Sequence, residues 1–117
     1  MDLKDKKCVP CHEWVPPLSE EAKEDYLKKS PDWELTHEKS RIQREFKFKN
    51  FKRALEFTNI IGAIAEEEKH HPEIHLGWGH TIVEIWTHAN NNLLENDFIL
   101  AAKIDEAFRT FSSSLKA

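Results

Sequence analysis

The stretch EEEKHHPEIHLGWGHTIVEIWTH, residues 66–88, joins the end of a helix to a predicted β-hairpin. Pro72 disfavours helical geometry in the residue before it, so the helix must end at the two adjacent histidines. Apolar and polar residues then alternate along 74–78 and along 81–88, with glycines between the two runs. Alternation with a period of two is typical of strands. This stretch therefore predicts a helix followed by two antiparallel strands.

The residues before this stretch predict a strand and the helix itself. Residues 41–49 alternate, although Arg44 interrupts their apolar face. Asn50 is a suitable N-cap for the helix that follows. That helix carries a wide apolar stripe at helical spacing, formed by Phe51, Ala54, Leu55, Phe57, Thr58, Ile61, Ile64 and Ala65.

The N-terminal third of the chain predicts a shorter helix and another strand. Ser19 is a plausible N-cap for a helix to about Lys29, which Pro31 ends. Residues 33–35 begin a strand, and the polar residues 36–40 predict a hairpin turn, although no glycine is present there.

A third helix, starting near Glu95, follows a loop at Asn90–Asn92. The predicted order is α-β-β-α-β-β-α, which favours an α+β fold: a four-stranded antiparallel sheet with three helices packed on one face. We expect one domain over residues 18–117, with residues 1–17 as an irregular N-terminal arm.

The overall composition restricts the class of protein. The 117 residues are 39% hydrophobic and 32% charged, with a formal net charge of −4. These values are typical of a globular domain and argue against general nucleic-acid affinity. No apolar run approaches the roughly 20 residues of a membrane span. The charged N-terminus lacks the apolar core of a signal peptide, so we expect a cytoplasmic protein.

Three histidines are candidates for acid/base chemistry, because imidazole exchanges protons near neutral pH. His70 and His71 lie at the helix end, and His88 ends the second strand of the hairpin. A chain reversal between the two strands should bring His88 back toward Pro72. Glu66, four residues before His70 on one helix, is placed to orient that ring. Three histidines are also a familiar zinc set, and the residues alone leave the two alternatives nearly level.

The motif formed by Glu66, His70-His71-Pro72, Trp78, His88 and Asp97 resembles the signature of the pterin-4a-carbinolamine dehydratases. Similarity extends over roughly residues 19–108, including Trp33 and the Phe46-Lys47-Phe48 strand. Two features differ from the family pattern. Leu94 stands where relatives often place a Ser or Thr cap, and the preceding loop is rich in asparagine where glycine is expected.

The resemblance implies removal of water from a 4a-hydroxytetrahydropterin to give the quinonoid dihydropterin, without a metal or other cofactor. This reaction recycles the cofactor of aromatic amino-acid hydroxylases, so a hydroxylase is a possible partner. A homodimer or homotetramer is implied as well. The implied catalytic residues are His70, His71 and His88, and the implied substrate-binding or orienting residues are Glu66, Pro72, Trp33, Trp78 and Asp97. Either tryptophan could equally belong to the core.

Two further patterns favour less specific interpretations. Cys8-Val9-Pro10-Cys11-His12 matches the C-x-x-C-H haem motif, a half zinc site or a redox pair, but an exposed arm with free thiols is the preferred interpretation. Basic residues interleaved with phenylalanines in 41–53 are explained by strand alternation rather than by nucleic-acid binding. The alternative function is a non-catalytic dimerisation or partner-binding module of the same fold.

Overall fold

The computed structural model describes residues 2–8 and 16–115. The elements are a 3-10 turn at Leu3–Asp5, then α1 (Glu20–Lys28), β1 (Glu34–Thr36), β2 (Arg41–Lys47), α2 (Phe51–Glu68), β3 (Glu73–Gly77), β4 (His80–Ile85) and α3 (Glu95–Leu115). This order confirms the predicted α-β-β-α-β-β-α arrangement. None of the helices in these residues is both long and apolar enough to cross a membrane.

The four strands form one antiparallel sheet in the order β1-β2-β4-β3. The hairpin partners β3 and β4 pair in register, with Glu73 opposite Glu84 and Gly77 opposite His80. Because β4 runs back along β3, the chain that follows β4 returns to the end of the sheet where β3 begins. The predicted reversal between these strands is confirmed.

The core lies between the helices and one face of the sheet. From β4, Thr81, Val83 and Ile85 alternate into it, as predicted, and all three are fully buried. The facing surfaces of the other elements contribute the rest of the core, including Ile42, Phe46, Phe57, Ile61, Phe98, Leu100 and Ile104. Burial of this apolar surface holds the helices to the sheet.

Arg44, which interrupts the apolar alternation of β2, is explained by a partly buried ion pair. Its guanidinium lies 2.6 Å from a carboxylate oxygen of Asp105 on α3 and stacks over the ring of Phe46. Trp33 donates its indole N–H to the same carboxylate at 2.9 Å and is only 2% exposed. Trp33 therefore packs as a core residue, which is one of the two interpretations that the sequence left open.

Element boundaries differ from the predictions where the backbone turns left-handed. The turn before β2 has positive φ at all of residues 37–39, without a glycine. Helix α2 ends at Glu68 because Lys69 adopts φ 55°, and the His70 N–H then bonds to the carbonyl of Ala65 at 3.2 Å. Both histidines are therefore outside the helix rather than in its last turn. Strand β4 ends at Ile85, so His88 lies beyond it in a turn.

The described part of the predicted N-terminal arm packs against α3. Leu3 is only 8% exposed and belongs to the core cluster. Cys8 is half-buried and carries a free thiol rather than lying fully exposed. Cys11 and His12, the other residues of the cysteine motif, lie outside the described residues.

Candidate active site

His70 is bonded to a fully buried carboxylate. Its Nε2 lies 2.6 Å from Oδ1 of Asp97, whose side chain is 0% exposed. An ionised carboxylate only accepts hydrogen bonds, so Nε2 carries the proton in this contact. The arrangement fixes the orientation of the ring and leaves Nδ1 as the nitrogen that can exchange a proton with a ligand.

The second oxygen of Asp97 is held by two further donors. Oδ2 accepts a hydrogen bond from the hydroxyl group of Thr87 at 2.8 Å and another from the backbone N–H of Leu94 at 2.7 Å. Asp97 is the third residue of α3, so the contact to Leu94 is the backbone half of a capping box. The carboxylate therefore accepts a hydrogen bond from a backbone N–H at the start of α3, where no Ser or Thr cap is present. Hydrogen bonds to both of its oxygens fix its orientation.

Three elements meet at this carboxylate. The left-handed Lys69 turns His70 away from α2, and the end of β4 leads to Thr87, whose N–H bonds to the carbonyl of Asn92 at 2.8 Å. Asn91 supplies the left-handed residue of the intervening loop, with φ 53°. Asparagine tolerates that conformation, so Asn91 can occupy the left-handed position of a loop where glycine is expected.

The predicted partner of Glu66 is corrected by the structure. Glu66 contacts His71 rather than His70, with 2.5 Å between its carboxylate and Nε2 of His71. The left-handed residue Lys69 rotates the chain after α2, so the helical i,i+4 relation does not extend to His70. Both partners of this pair are exposed, His71 at 57% and Glu66 at 78% of the side chain. Asp97 takes the orienting position that we predicted for Glu66.

His88 is brought to the same end of the sheet as the other two histidines. It directly follows Thr87, which contacts Asp97, and its exposed ring packs on the ring of Trp86 with centroids 4.8 Å apart. The convergence of all three rings on one ligand stays a prediction.

Trp78 is not brought to the histidines within one chain. It lies in the turn between β3 and β4, 70% exposed, whereas the histidines lie where β3 begins. A five-residue strand separates the two places by about 17 Å. Trp78 therefore lies apart from the histidines of its own chain, and its predicted pterin-covering role stays a prediction.

Two neighbours of the site were not predicted. Glu68, buried at the end of α2, accepts the backbone N–H of Cys8 at 2.9 Å. The Cys8 thiol lies 3.5 Å from the carbonyl oxygen of Asn96, the residue before Asp97. Burial, followed by the charges of Glu68 and Asp97, raises the pKa of Cys8 to about 12. The sequence spacing gives no indication of these contacts, because 60 residues separate Cys8 from Glu68.

This raised pKa predicts an unreactive thiol. At pH 8 the thiolate fraction of Cys8, and hence its rate of alkylation by iodoacetamide, should be about a thousandfold below that of a cysteine with the ordinary pKa of 9.0. The measurement uses a Cys11→Ser variant, in which Cys8 is the one remaining cysteine. The same variant in urea is the control, and equal rates in the folded and unfolded protein would contradict the prediction.

In the described residues no group of three or more His, Cys, Asp or Glu side chains is arranged to hold a metal ion. A cavity of about 670 Å³ lies between the N-terminal segment, α1 and α3, and none of the candidate histidines lines it. A second cavity of about 260 Å³ lies at the start of α2, at the opposite end of that helix.

Comparisons with known proteins identify the family of this chain. A family model described as pterin 4 alpha carbinolamine dehydratase matches residues 16–107. The chain belongs to the pterin 4 alpha carbinolamine dehydratase family. Two similar proteins bear provisional pterin-4-alpha-carbinolamine dehydratase names. The one from Methylococcus capsulatus is 48% identical over 101 residues, covering 86% of this chain and 89% of that protein. The one from Rubrobacter xylanophilus is 44% identical over 104 residues, covering 89% and 96%.

Among solved structures, a transcriptional coactivator/pterin dehydratase from Brucella melitensis is similar to this chain. Its TM-score is 0.73 at 30% identity, covering 78% of this chain and 97% of that one. The family resemblance inferred from the residues is thereby confirmed. In a carbinolamine dehydratase family member, an oriented imidazole on a buried carboxylate can deliver or remove a proton.

Proposed function

We propose that this protein removes water from 4a-hydroxytetrahydropterins, giving quinonoid dihydropterins, by histidine acid/base catalysis. The observation that carries the proposal is the buried bond between His70 and Asp97, 2.6 Å long. A carboxylate that fixes the orientation and tautomer of an imidazole is the arrangement that acid/base catalysis requires. Family membership supports the same reaction.

The proposed reaction needs only proton transfers. The C4a–O bond breaks as the hydroxyl group takes a proton and leaves as water. N5 loses its proton, and its electrons form the N5=C4a double bond, so no oxidant or reductant is consumed. We assign these two transfers to His70 and His88, whose chain segments meet at Asp97 and Thr87.

The remaining predicted residues receive supporting roles in this proposal. His71 positions the pterin, and the Glu66 carboxylate orients the ring of His71. Pro72 disfavours helical geometry in His71 and so supports the extended path of the chain from the histidines into β3. Asp97 orients His70.

Replacing His88 with Ala tests the proposal. Turnover should fall about a hundredfold or more, because a positioned acid or base contributes that much. The free energy of unfolding should change by no more than about 0.5 kcal/mol, since His88 is exposed. Stopped-flow dehydration of a synthetic carbinolamine and urea denaturation give the two quantities.

The matched control is His75→Ala, which removes an exposed histidine from β3. It should retain wild-type turnover. Near-normal turnover of His88→Ala would refute the assigned role. Absence of turnover in the wild-type protein would refute the proposed function itself.

The proposed context is recycling of the pterin cofactor of aromatic amino-acid hydroxylases in the cytoplasm, with a hydroxylase as a possible partner. We also propose a homodimer or homotetramer. The edge position of β3 in the sheet of the described residues and two exposed apolar side chains on α2, Phe51 at 44% and Leu55 at 39%, support self-association.

The alternative is a non-catalytic module that binds a partner through the same fold. The similar Brucella protein is described as a transcriptional coactivator as well as a pterin dehydratase, which supports this alternative. A pull-down that captures a partner, combined with no turnover of a carbinolamine, would support the module over the enzyme.

A further inference from the structure

The N-terminal segment Asp2–Cys8 is attached to the helices that carry the candidate site. The ammonium group of Lys6 donates to the carboxylate of Glu95, in the first turn of α3, at 3.0 Å. Lys103, further along α3, donates to the carbonyl oxygen of Lys4 at 2.9 Å. Both contacts hold the segment along the helix that contributes Asp97. We call Asp2–Cys8 the clasp.

Glu68 holds the last residue of the clasp. Its side chain is 3% exposed, and one carboxylate oxygen accepts the N–H of Cys8 at 2.9 Å. The other oxygen lies 3.8 Å from the ammonium of Lys103 and 3.7 Å from that of Lys7. A buried carboxylate is stable only with such partners, and here one partner is the clasp backbone itself. Glu68 thus connects the end of α2, the clasp and α3.

The clasp ends beside the carboxylate that orients His70. The Cys8 thiol contacts the carbonyl of Asn96, and the charge of Asp97 contributes to the raised pKa of that thiol. The sulfur therefore lies within electrostatic reach of Asp97. A half-buried side chain at this place limits the access of water to the first turn of α3.

We propose that Glu68 is a positioning residue. It anchors Cys8 over the first turn of α3, and Cys8 in turn excludes water from Asp97 and so preserves the orientation of His70. Glu68 touches neither His70 nor a ligand in this proposal, so it acts through the clasp. The inference deepens the proposed function, and its catalytic part rests on that function. Its structural part, the attachment of the clasp and the orientation of His70, does not.

The test compares Glu68→Ala with Glu67→Ala in the Cys11→Ser background. Glu67 is the neighbouring exposed residue and contacts Lys7 alone among the described side chains, at 3.5 Å. Three measurements are made: alkylation of Cys8 by iodoacetamide, turnover of a synthetic carbinolamine, and ¹⁵N shifts of the His70 ring, which report its tautomer.

Glu68→Ala should release the clasp. Alkylation of Cys8 should become at least about tenfold faster, and kcat should fall about tenfold with little change in KM, because a misplaced acid/base group affects chemistry more than binding. The ¹⁵N shifts should change from one tautomer to a mixture. Glu68→Gln keeps the oxygen that accepts the Cys8 N–H and should recover most of the alkylation protection. Glu67→Ala should match the parent protein in all three measurements.

A purely structural role gives a different result. If Glu68→Ala lowers thermal stability but leaves the alkylation rate, the His70 shifts and kcat equal to those of Glu67→Ala, the inference is overturned. If Glu68→Ala does not fold, Lys103→Met removes another contact of the clasp, the bond to the carbonyl of Lys4, and the same comparison decides. If the parent protein shows no turnover at all, the proposed function fails, while alkylation and the ¹⁵N shifts still decide whether Glu68 orients His70.

Discussion

Asp97→Asn is expected to lower kcat for carbinolamine dehydration by about 10²–10⁴-fold. Asp97 accepts on both oxygens, from His70 on one and from Thr87 and Leu94 on the other. An asparagine has one accepting oxygen. It must either present its NH₂ group to His70, which imposes the other tautomer, or leave the Leu94 N–H without an acceptor. In the first case the proton of neutral His70 moves from Nε2 to Nδ1, so Nδ1 can no longer accept a proton from a ligand. The second case costs about 1–3 kcal/mol of stability.

Stopped-flow turnover and ¹⁵N shifts of the His70 ring separate these outcomes. Asp25→Asn is the control, because Asp25 is an exposed acid on α1 whose nearest ion-pair partner is Lys28 at 3.9 Å. We expect that variant to retain wild-type turnover. Wild-type turnover in Asp97→Asn would show that the orientation of His70 does not limit the reaction.

Asp105→Ala is expected to be the most destabilising single substitution considered, at about 2–4 kcal/mol, because it weakens the pairing of Arg44 and leaves the buried Trp33 N–H without an acceptor. It leaves the partly buried guanidinium of Arg44, now 2.6 Å from the carboxylate, with only the exposed carboxylate of Asp32 at 3.7 Å, and it removes the acceptor of the Trp33 N–H. Urea denaturation followed by tryptophan fluorescence measures the change.

The double variant Arg44→Met/Asp105→Leu is the informative comparison. Burial raises the pKa of Asp105, and the nearby Asp32 adds to the rise, although Trp33 and Arg44 lower it. Replacing both charges with apolar side chains should recover the part of the stability that the weakly paired guanidinium costs in Asp105→Ala, while the Trp33 N–H lacks an acceptor in both variants. A double variant as unstable as Asp105→Ala would show that the ion pair itself is strongly stabilising.

The same substitutions distinguish the two parts of the molecule. Asp105 and Arg44 lie between β2 and the middle of α3, while Asp97 lies in the first turn of that helix. Eight residues of helix separate the two carboxylates, about 12 Å along its axis. Loss of Asp105 should act through the free energy of unfolding, and loss of Asp97 should act mainly through turnover.

Local patterns in the sequence account for most of the fold. The alternation in 41–49 and 81–88, the apolar stripe of α2, the Asn50 cap and the position of Pro72 depend only on neighbouring residues. Periodicity reports which face of an element is buried, because the core can accept only one face. The position of Pro72 and the strand alternation also placed the candidate histidines near a helix end and after a strand.

The element ends were predicted less well than the elements. Helix α2 ends at Glu68 because Lys69 becomes left-handed, a conformation that lysine has no intrinsic preference for. The turn at residues 37–39 is also left-handed, although it contains no glycine to indicate this in the sequence. Packing of the flanking elements overrides local preference at such positions.

By itself the sequence determined the seven elements, their order, the single antiparallel sheet and the identity of the three candidate histidines. Only the tertiary structure decided the partners: Asp97 rather than Glu66 for His70, Asp105 for Trp33 and Arg44, and Glu68 for Cys8. Backbone patterns follow from neighbouring residues, but the partner of a buried polar side chain depends on which distant element the packing of the core brings within hydrogen-bond distance.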